Sequence, residues 1–244
     1  MDSIKSDFQR PDGREFDELR PCRIYPHWTD NPEGSVLIEC GNTRVLCTAS
    51  WEDKVPQWRE GTGLGWVTAE YAMIPRATGT RNSRERDGAK NSRSQEISRL
   101  IGRSLRMAVD FEAMGENAIY IDCDVLQADG GTRTASITGG WIALREAADW
   151  ALKNGKAAKD FVRHQISAVS VGIVDGAEVL DLPYAEDCRA STDMNVVQTE
   201  SGEFVEIQGT GEKAPFTSSQ LSFLLDLACS GNEKLRIKQR EALA

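Results

Sequence analysis

The segment from residue 119 to residue 154 constrains the fold most, because it passes from a strand pattern to a helix pattern across two adjacent glycines. In residues 119–127 (IYIDCDVLQ), apolar and polar side chains alternate, as they do in a half-buried β-strand. This pattern stops at the run DGGTR (129–133), and a helical pattern starts near Thr134 and continues to about Asn154. The sequence therefore predicts a strand, a tight glycine turn and a long helix in direct succession.

The DGGTR turn has the composition of an anion-binding site. Glycines allow backbone N–H groups to approach an anion, and a helix N-terminus adds partial positive charge. Beside Gly131, Thr132 supplies a hydroxyl and Arg133 supplies a two-pronged charged donor. The lysine and the glycine spacing of a Walker loop are missing. A simple helix start capped by threonine is the alternative interpretation of this turn.

Three further segments are predicted to form β-hairpins, because β-branched residues alternate on either side of a short turn. These hairpins occupy residues 34–51, 169–182 and 194–209. Their turns fall at GN (41–42), DG (175–176) and SG (201–202).

Helices are predicted between and after these hairpins. The run SQEISRLIGRSLRMAVDFEAMG (94–115) places its apolar residues on one stripe, which indicates a helix that ends at Gly115. A last helix covers roughly 217–228, with a charged extension to the C-terminus. We therefore expect one α+β unit with mixed sheets, made of two similar halves at about 10–155 and 164–244, after an N-terminal tail of residues 1–9.

Charge is distributed unevenly along the chain. The net charge of −9 opposes a nucleic-acid partner, but residues 76–106 contain nine cations and only three anions. A focused basic site on an acidic surface steers a polyanion to one place. Arg93 is a second candidate for the anion site, with a solvated surface arginine as the alternative. For Arg99, Arg103 and Arg106, which recur at helical spacing, we favour a subunit-contact face over an RNA track.

Composition excludes several classes of protein. No run approaches the roughly 20 apolar residues of a membrane span, and the start lacks the features of a secretory signal, so we expect a cytoplasmic protein. The six cysteines contain no C-x-x-C pair, which predicts reduced, mostly buried thiols without zinc or disulfides. The two histidines, His27 and His164, lie in no catalytic motif, which argues against a hydrolase triad.

An acidic loop (181–193) is the second candidate for chemistry. Asp181, Glu186, Asp187 and Asp193 lie in this loop between two predicted strands. Several carboxylates that converge without cationic neighbours are costly unless a divalent cation joins them, and Mg²⁺ fits best because it shares its shell with substrate phosphates. A solvated acidic loop is the alternative interpretation.

Six segments together form a specific pattern. They are PDGREFDELRP (11–21), GSVLIECGNTRVLCTASW (34–51), GWVTAEYAMIPRAT (65–78), QEISRLIGRSLR (95–106), IDCDVLQADGGTRTASITGG (121–140) and EDCRASTDMNVVQTESGEFVEIQGT (186–210). They resemble the bacterial ribonuclease PH family over nearly the whole chain, from about Arg10 to the C-terminal helix. The resemblance implies a phosphate-dependent exonuclease that trims the 3′ ends of tRNA precursors and other RNA. Such an enzyme releases nucleoside diphosphates and runs backwards as a nucleotidyltransferase.

The resemblance also implies roles for particular residues. The family's phosphate site matches Arg93, Gly131, Thr132 and Arg133. Its catalytic acids match Asp187 and Asp193, which would also hold Mg²⁺, and either aspartate could instead act as the general acid. Its arginine-rich loop, which bears on tRNA binding and ring assembly, matches Arg76, Arg81 and Arg84.

The family fold consists of two similar β-α halves like domain 2 of ribosomal protein S5, assembled as a homo-hexamer made from dimers. Two other functions compete with this expectation. One is a catalytically silent ring subunit that binds RNA, which the joint presence of the phosphate residues and the acid pair opposes. The other is a metal-dependent hydrolytic nuclease that uses the same acidic loop, which would release nucleoside monophosphates without phosphate.

Overall fold

The first of two β-sheets contains the strand that leads into the DGGTR turn. The structure, a computed structural model, describes residues 8–84 and 92–244. The first sheet has the order β1-β2-β3-β5-β4, and only β4 and β5 run parallel. Its strands are β1 (Cys22–Pro26), β2 (Gly34–Cys40), β3 (Thr43–Glu52), β4 (Trp66–Met73) and β5 (Ala118–Gln127). The parallel pair is joined by a crossover that contains α1 (Ser92–Arg106) and α2 (Phe111–Met114).

The second sheet is antiparallel throughout, in the order β7-β6-β8-β9. Its strands are β6 (Ser167–Val174), β7 (Ala177–Leu180), β8 (Thr192–Gln198) and β9 (Phe204–Gly211), and a short helix α4 (Tyr184–Asp187) lies between β7 and β8. All three hairpins predicted from the sequence are present with their turns at the predicted glycines. The expected α+β class is therefore confirmed.

The long helix α3 (Thr132–Lys153) lies between the two sheets. It contacts β2 and β3 of the first sheet and β6 of the second. Residues around its whole circumference are buried, including Ile137, Ile142 and Leu144, as expected for a helix packed on more than one side. Alternating side chains of β5 are fully buried beneath it, which confirms the predicted strand. Packing against both sheets therefore holds the N-terminus of α3 in place.

The predicted helix over 94–115 was too long. Helix α1 ends at Arg106, and the chain then turns before α2. The side chain of Asp110 accepts hydrogen bonds from the backbone N–H groups of Glu112 and Ala113, so it caps a second, separate helix. Apolar periodicity alone does not reveal this interruption, because the stripe continues across it.

The last helix was predicted too short, and α5 (Ser218–Ala242) is continuous through the charged extension. Thr217 begins it with a complete capping box, in which Thr217 and Gln220 exchange hydrogen bonds. Its apolar side packs on β6 and β7 of the second sheet.

The N-terminal segment before β1 contains no helix or strand among its described residues, yet two of its arginines are buried. Arg10 and Arg20 are each about 5% exposed or less and lie in ion pairs with the acidic loop. Of the predicted tail, residues 1–7 lie outside the described residues, whereas Phe8 packs against a small apolar cluster under β7 and stacks on Phe16. The segment after residue 7 is therefore a structural part of the protein.

Two further expectations concern the cysteines and membrane-spanning segments. The six cysteines form no disulfides, but only Cys47 and Cys123 are buried, so most thiols are more accessible than predicted. Among the described residues, no helix has both the length and the apolar character needed to cross a membrane.

Candidate active site

The DGGTR turn and the acidic loop are in direct contact. Gly130 and Gly131 both have positive φ angles, of 74° and 65°, and Gly131 is the N-cap of α3. A Cβ atom on Gly130 would lie 2.4 Å from the carbonyl oxygen of Leu182 in the acidic loop. The backbone NH of Tyr184 also donates to Asp129 Oδ1 at 3.3 Å. Glycine is therefore required at position 130 both for its conformation and for the approach of the second loop.

Arg20 ties the same two segments together. Its Nη1 donates to the carbonyl oxygen of Asp129 at 2.6 Å, on the DGGTR turn. Its Nη2 and Nε donate to the two carboxylate oxygens of Asp181 at 2.6 and 3.1 Å, on the acidic loop. Because both partners are nearly buried, this bidentate pair fixes the spacing of the two loops.

Two members of the acidic loop are not available for a cation, contrary to the expectation from sequence. Asp181 pairs with Arg20 and Arg14, and Glu186 accepts two hydrogen bonds from Arg10 at 2.7 and 2.9 Å. Burial alone would raise the pKa of Asp181, but the Arg20 guanidinium holds that pKa below its usual value. The assumption that these acids lack cationic neighbours was wrong, because the neighbours come from the distant N-terminal segment.

Asp187 and Asp193 behave in the opposite way. Asp187 is the last residue of α4, and Asp193 is the second residue of β8. Burial, together with the nearby charge of Asp187, raises the pKa of Asp193 to about 6. Burial and the charge of Glu212 likewise raise the pKa of Asp187. These two carboxylates are therefore close together, and burial with neighbouring negative charge outweighs the cations around them.

The two arginines of the predicted phosphate site lie beside this acid pair. The charges of Arg93 and Arg133 both act to lower the pKa of Asp187. Arg133 Nη1 donates to Glu96 Oε1 at 3.2 Å and to Gln208 Oε1 at 3.0 Å. Glu96 belongs to α1, which packs on β4 of the first sheet, and Gln208 belongs to β9 of the second sheet, so partners from two distant elements orient the Arg133 side chain. The turn, the arginines and the acid pair thus occupy one region of the protein.

Sequence reasoning missed several residues that shape this region. Glu96 and Gln208 hold Arg133, Glu212 adds negative charge near the acid pair, and Tyr71 contacts Thr132. All four lie inside or next to segments with clear strand or helix patterns, where a polar residue looks like ordinary surface. Only the alternation in β4 gave a signal, since it placed Tyr71 on the buried face.

The acid pair fits Mg²⁺ chemically. Within residues 8–84 and 92–244, no group of three or more His, Cys, Asp or Glu side chains is arranged to hold a metal. Mg²⁺, however, keeps several waters and needs only one or two carboxylates in addition to substrate phosphates. Two adjacent acids with raised pKa values are stabilised by a cation, so Asp187 and Asp193 meet this requirement.

The predicted RNA-contacting arginines, Arg76, Arg81 and Arg84, are exposed on the segment that follows β4. Two of the helix arginines assigned to a subunit face have partners within the chain instead. Arg103 pairs with Glu206 on β9 at 2.7 Å, and Arg106 lies over the Trp66 ring. They join α1 to the rest of the protein, and the subunit-contact face stays a prediction.

This α+β protein brings together a helix N-terminus, two arginines and two carboxylates with raised pKa values. Such a site is typical of enzymes that act on phosphate esters. Comparison with family models narrows the class. The model of the 3′ exoribonuclease family (RNase_PH) matches in two parts, domain 1 over residues 18–148 and domain 2 over residues 164–231. The chain belongs to this 3′ exoribonuclease family.

Curated relatives agree with this assignment. The chain is 59% identical to a ribonuclease PH of Bifidobacterium longum over 238 residues, which covers 96% of each chain. It is 58% identical to a ribonuclease PH of Nocardia farcinica, with 97% of this chain and 93% of the relative covered. Recognition of the ribonuclease PH family from the sequence is confirmed.

Solved structures share the fold. The structure of an Archaeoglobus fulgidus exosome with RNA bound to the active site matches with a TM-score of 0.79 at 24% identity, over 95% of this chain and 93% of the other. An archaeal exosome core matches with a TM-score of 0.78 at 23% identity, over 95% and 91% of the two chains. The expected ribonuclease PH fold is thereby confirmed.

Proposed function

We propose that this chain shortens RNA from its 3′ end by phosphorolysis, in tRNA precursors and other RNA, and that Arg93, Gly131, Thr132 and Arg133 hold the attacking phosphate. Membership of the 3′ exoribonuclease family supports the reaction class. One observation supports the assignment of roles. The charges of Arg93 and Arg133 act to lower the pKa of Asp187, and the charge of Asp187 in turn raises the pKa of Asp193. The two arginines and the two acids therefore lie close enough to interact.

The reaction joins two anions, and the side chains of this site address that difficulty. An oxygen of the bound phosphate attacks the phosphorus of the last phosphodiester, the bond from phosphorus to the ribose 3′ oxygen breaks, and a nucleoside diphosphate leaves. Arg93, Arg133 and the amides of the DGGTR turn hold the phosphate and offset its charge. Reversal of these steps adds a nucleotide to the RNA end.

The acid pair serves this scheme in two ways, as metal ligands and as a source of the proton for the leaving oxygen. Asp187 and Asp193 would hold Mg²⁺, which when bound offsets charge on the scissile phosphate. The RNA 3′ oxygen also needs a proton as it leaves, and the pKa of about 6 gives Asp193 a protonated fraction near neutral pH. No histidine base is required, because phosphate is itself the nucleophile. This agrees with the positions of His27 and His164 away from the site motifs.

A 3′-extended RNA incubated with Mg²⁺, with and without phosphate, tests the proposal. We expect nucleoside diphosphates that appear only when phosphate is present. Arg133→Ala should remove this activity while the fold is kept, and Arg240→Ala, an exposed arginine at the end of α5, is the matched control. Nucleoside monophosphates formed in phosphate-free buffer would instead support the hydrolytic nuclease. No product from the unaltered chain would support a silent subunit.

RNA binding is assigned to the exposed arginines Arg76, Arg81 and Arg84. Their replacement by alanine removes three phosphate contacts at most, so RNA affinity should fall and its dependence on salt should weaken. Burial raises the pKa of Asp124 on β5 and the charge of Arg84 opposes this rise, which locates the arginine beside the first sheet. Unchanged RNA affinity in the triple variant would contradict this assignment.

The assembly is proposed to be a homo-hexamer, a trimer of dimers, in the cytoplasm. Large apolar side chains exposed on the chain support association, since single chains seldom leave so many uncovered. Those more than half exposed are Trp58, Met107, Tyr184 and Phe223. Native mass measurement decides the number of chains, and a monomer at micromolar concentration would refute the ring.

A further inference from the structure

A buried tyrosine contacts the phosphate-binding turn from behind. Tyr71 lies on β4 with its ring in the core, and its hydroxyl oxygen is 2.9 Å from Thr132 Oγ1. Both residues are only about 5% exposed. Thr132 is the first residue of α3, at the point where the helix N-terminus faces the proposed phosphate. The phenol is thus one hydrogen bond away from the anion site.

The direction of this hydrogen bond determines what Thr132 can do. A hydroxyl has one proton to donate. Within the described residues, the hydroxyls of Tyr71 and Thr132 each have the other as their only hydrogen-bond partner. If Thr132 donates to Tyr71, its proton is used. If Tyr71 donates to Thr132, the threonine proton is free to point at an unprotonated oxygen of the phosphate, which accepts it. A bound phosphate therefore selects the second arrangement.

The surroundings of Tyr71 favour a permanent donor. Burial raises the pKa of the phenol to about 12, even though the hydrogen bond to Thr132 and the charges of Arg93 and Arg133 act to lower it. The phenol therefore keeps its proton near neutral pH. The influence of both arginines also locates the hydroxyl within reach of their charges, at the edge of the phosphate site.

We propose that Tyr71 is a positioning residue, which donates its hydrogen bond to Thr132 and so turns the Thr132 hydroxyl toward the attacking phosphate. This inference rests on the proposed phosphorolytic function. It concerns phosphate affinity and not the chemical step, because Tyr71 does not touch the reacting atoms. Replacement by phenylalanine keeps the ring in the core and deletes only the donor.

Steady-state phosphorolysis with varied inorganic phosphate tests the inference. Tyr71→Phe should raise the KM for phosphate about tenfold, with kcat changed by less than about twofold, since one hydrogen bond to an anion site is weakened. The ratio should stay constant between about pH 7 and pH 9, because the phenol does not ionise there. Tyr120→Phe on the neighbouring strand β5, where the ring is partly exposed, is the matched control and should leave both constants unchanged.

A double-mutant cycle separates positioning from a general effect on stability. In a Thr132→Val background, Tyr71→Phe should cause no further rise in KM, because no hydroxyl remains to be turned. In a Thr132→Ser background the tenfold rise should return, and this comparison also serves if the valine variant folds poorly. An unchanged KM in Tyr71→Phe, or an equal rise in all three backgrounds, would overturn the inference. An unaltered chain that does not consume phosphate would refute the proposed function instead, and the two failures are therefore distinguishable.

Discussion

Four carboxylates lie within the acidic loop, and they fall into two pairs with opposite chemistry. Asp181 and Glu186 are buried against Arg10, Arg14 and Arg20. Asp187 and Asp193 are only partly buried, and within the described residues neither forms an ion pair. The pKa of Asp181 is lowered, whereas the pKa of Asp193 is raised to about 6.

The difference shows that an arginine partner decides whether an acid of this loop is structural or available for chemistry. A buried acid with a bidentate arginine is neutralised and immobile. A buried acid without one carries a cost until a cation or a proton arrives. One short loop contains both kinds, so the first pair anchors the backbone from which the second pair projects.

The largest effect should follow from breaking the anchored pair. Glu186→Gln leaves Arg10 buried without its carboxylate, and removal of one partner from a buried ion pair costs about 3–5 kcal/mol of unfolding free energy. The urea midpoint, measured at a fixed protein concentration, should fall accordingly. Asp226→Asn, at an exposed carboxylate on α5, is the control and should leave the midpoint nearly unchanged. Equal midpoints for the two variants would mean that the first pair does not anchor the loop.

A similarly large effect, on catalysis alone, should follow from altering the second pair. Asp193→Asn keeps the shape of the side chain but removes the charge and the proton, so kcat should fall about 10²–10³-fold, the usual cost of losing one electrostatic group at a reacting centre. RNA affinity should be largely retained, since the arginines are untouched. Product formation per enzyme and RNA binding by filter retention measure the two quantities. Activity within threefold of the unaltered chain would remove Asp193 from the chemistry.

The same substitution should make the protein more stable at neutral pH. Because the folded pKa of Asp193 lies above its ordinary value of 3.8, the folded state binds more protons between these two pH values, and stability falls as pH rises from about 4 to about 6. Above that window Asp193→Asn should therefore add on the order of 2 kcal/mol, and below it nothing.

Melting temperatures of the Asn variant and the unaltered chain across pH measure this gain. Asp181 provides the opposite sign, because its lowered pKa contributes stability that is present above pH 3.8 and is lost only below it. A gain from Asp193→Asn that persisted at pH 3.5 would contradict the raised pKa as its cause.

The smallest effect should come from Glu212, which is exposed and contributes only a distant charge to the second pair. Glu212→Gln should lower the pKa values of Asp187 and Asp193, so the acidic limb of the pH–rate profile should move to lower pH by a few tenths of a unit. The shift should shrink at high salt, because exposed charges are screened. If the shift of the acidic limb were the same at low and high salt, Glu212 would instead contact the substrate or the metal directly.

Much of the fold was predictable from local patterns. Alternation located β5 and the three hairpins, and the two glycines of the DGGTR turn located the start of α3. The end of α1 was not predictable, because the Asp110 cap interrupts an apolar stripe that continues in sequence. Contacts that join distant segments left no local signal: nothing around Asp181 indicates that Arg20 neutralises it.

In the candidate site too, local features were predictable and contacts between distant segments were not. Sequence selected Asp187 and Asp193 only as members of a group of four, and the structure separates them from Asp181 and Glu186 through side chains from the N-terminal segment. Glu96 and Gln208, which orient Arg133, come from a helix and a strand that are 112 residues apart in the sequence. Such convergence depends on tertiary packing, which a single sequence does not encode in any short window.

The contacts of Arg20 also have a consequence for the order of events during synthesis. Its partners Asp129 and Asp181 follow it by 109 and 161 residues. At a synthesis rate of roughly 5–20 residues per second, the arginine waits on the order of 10–30 s for its carboxylate. The N-terminal segment therefore closes over the acidic loop only after most of the chain has been made. A nascent chain that stops before Asp181 lacks this closure, and the loop that carries the acid pair has no anchor.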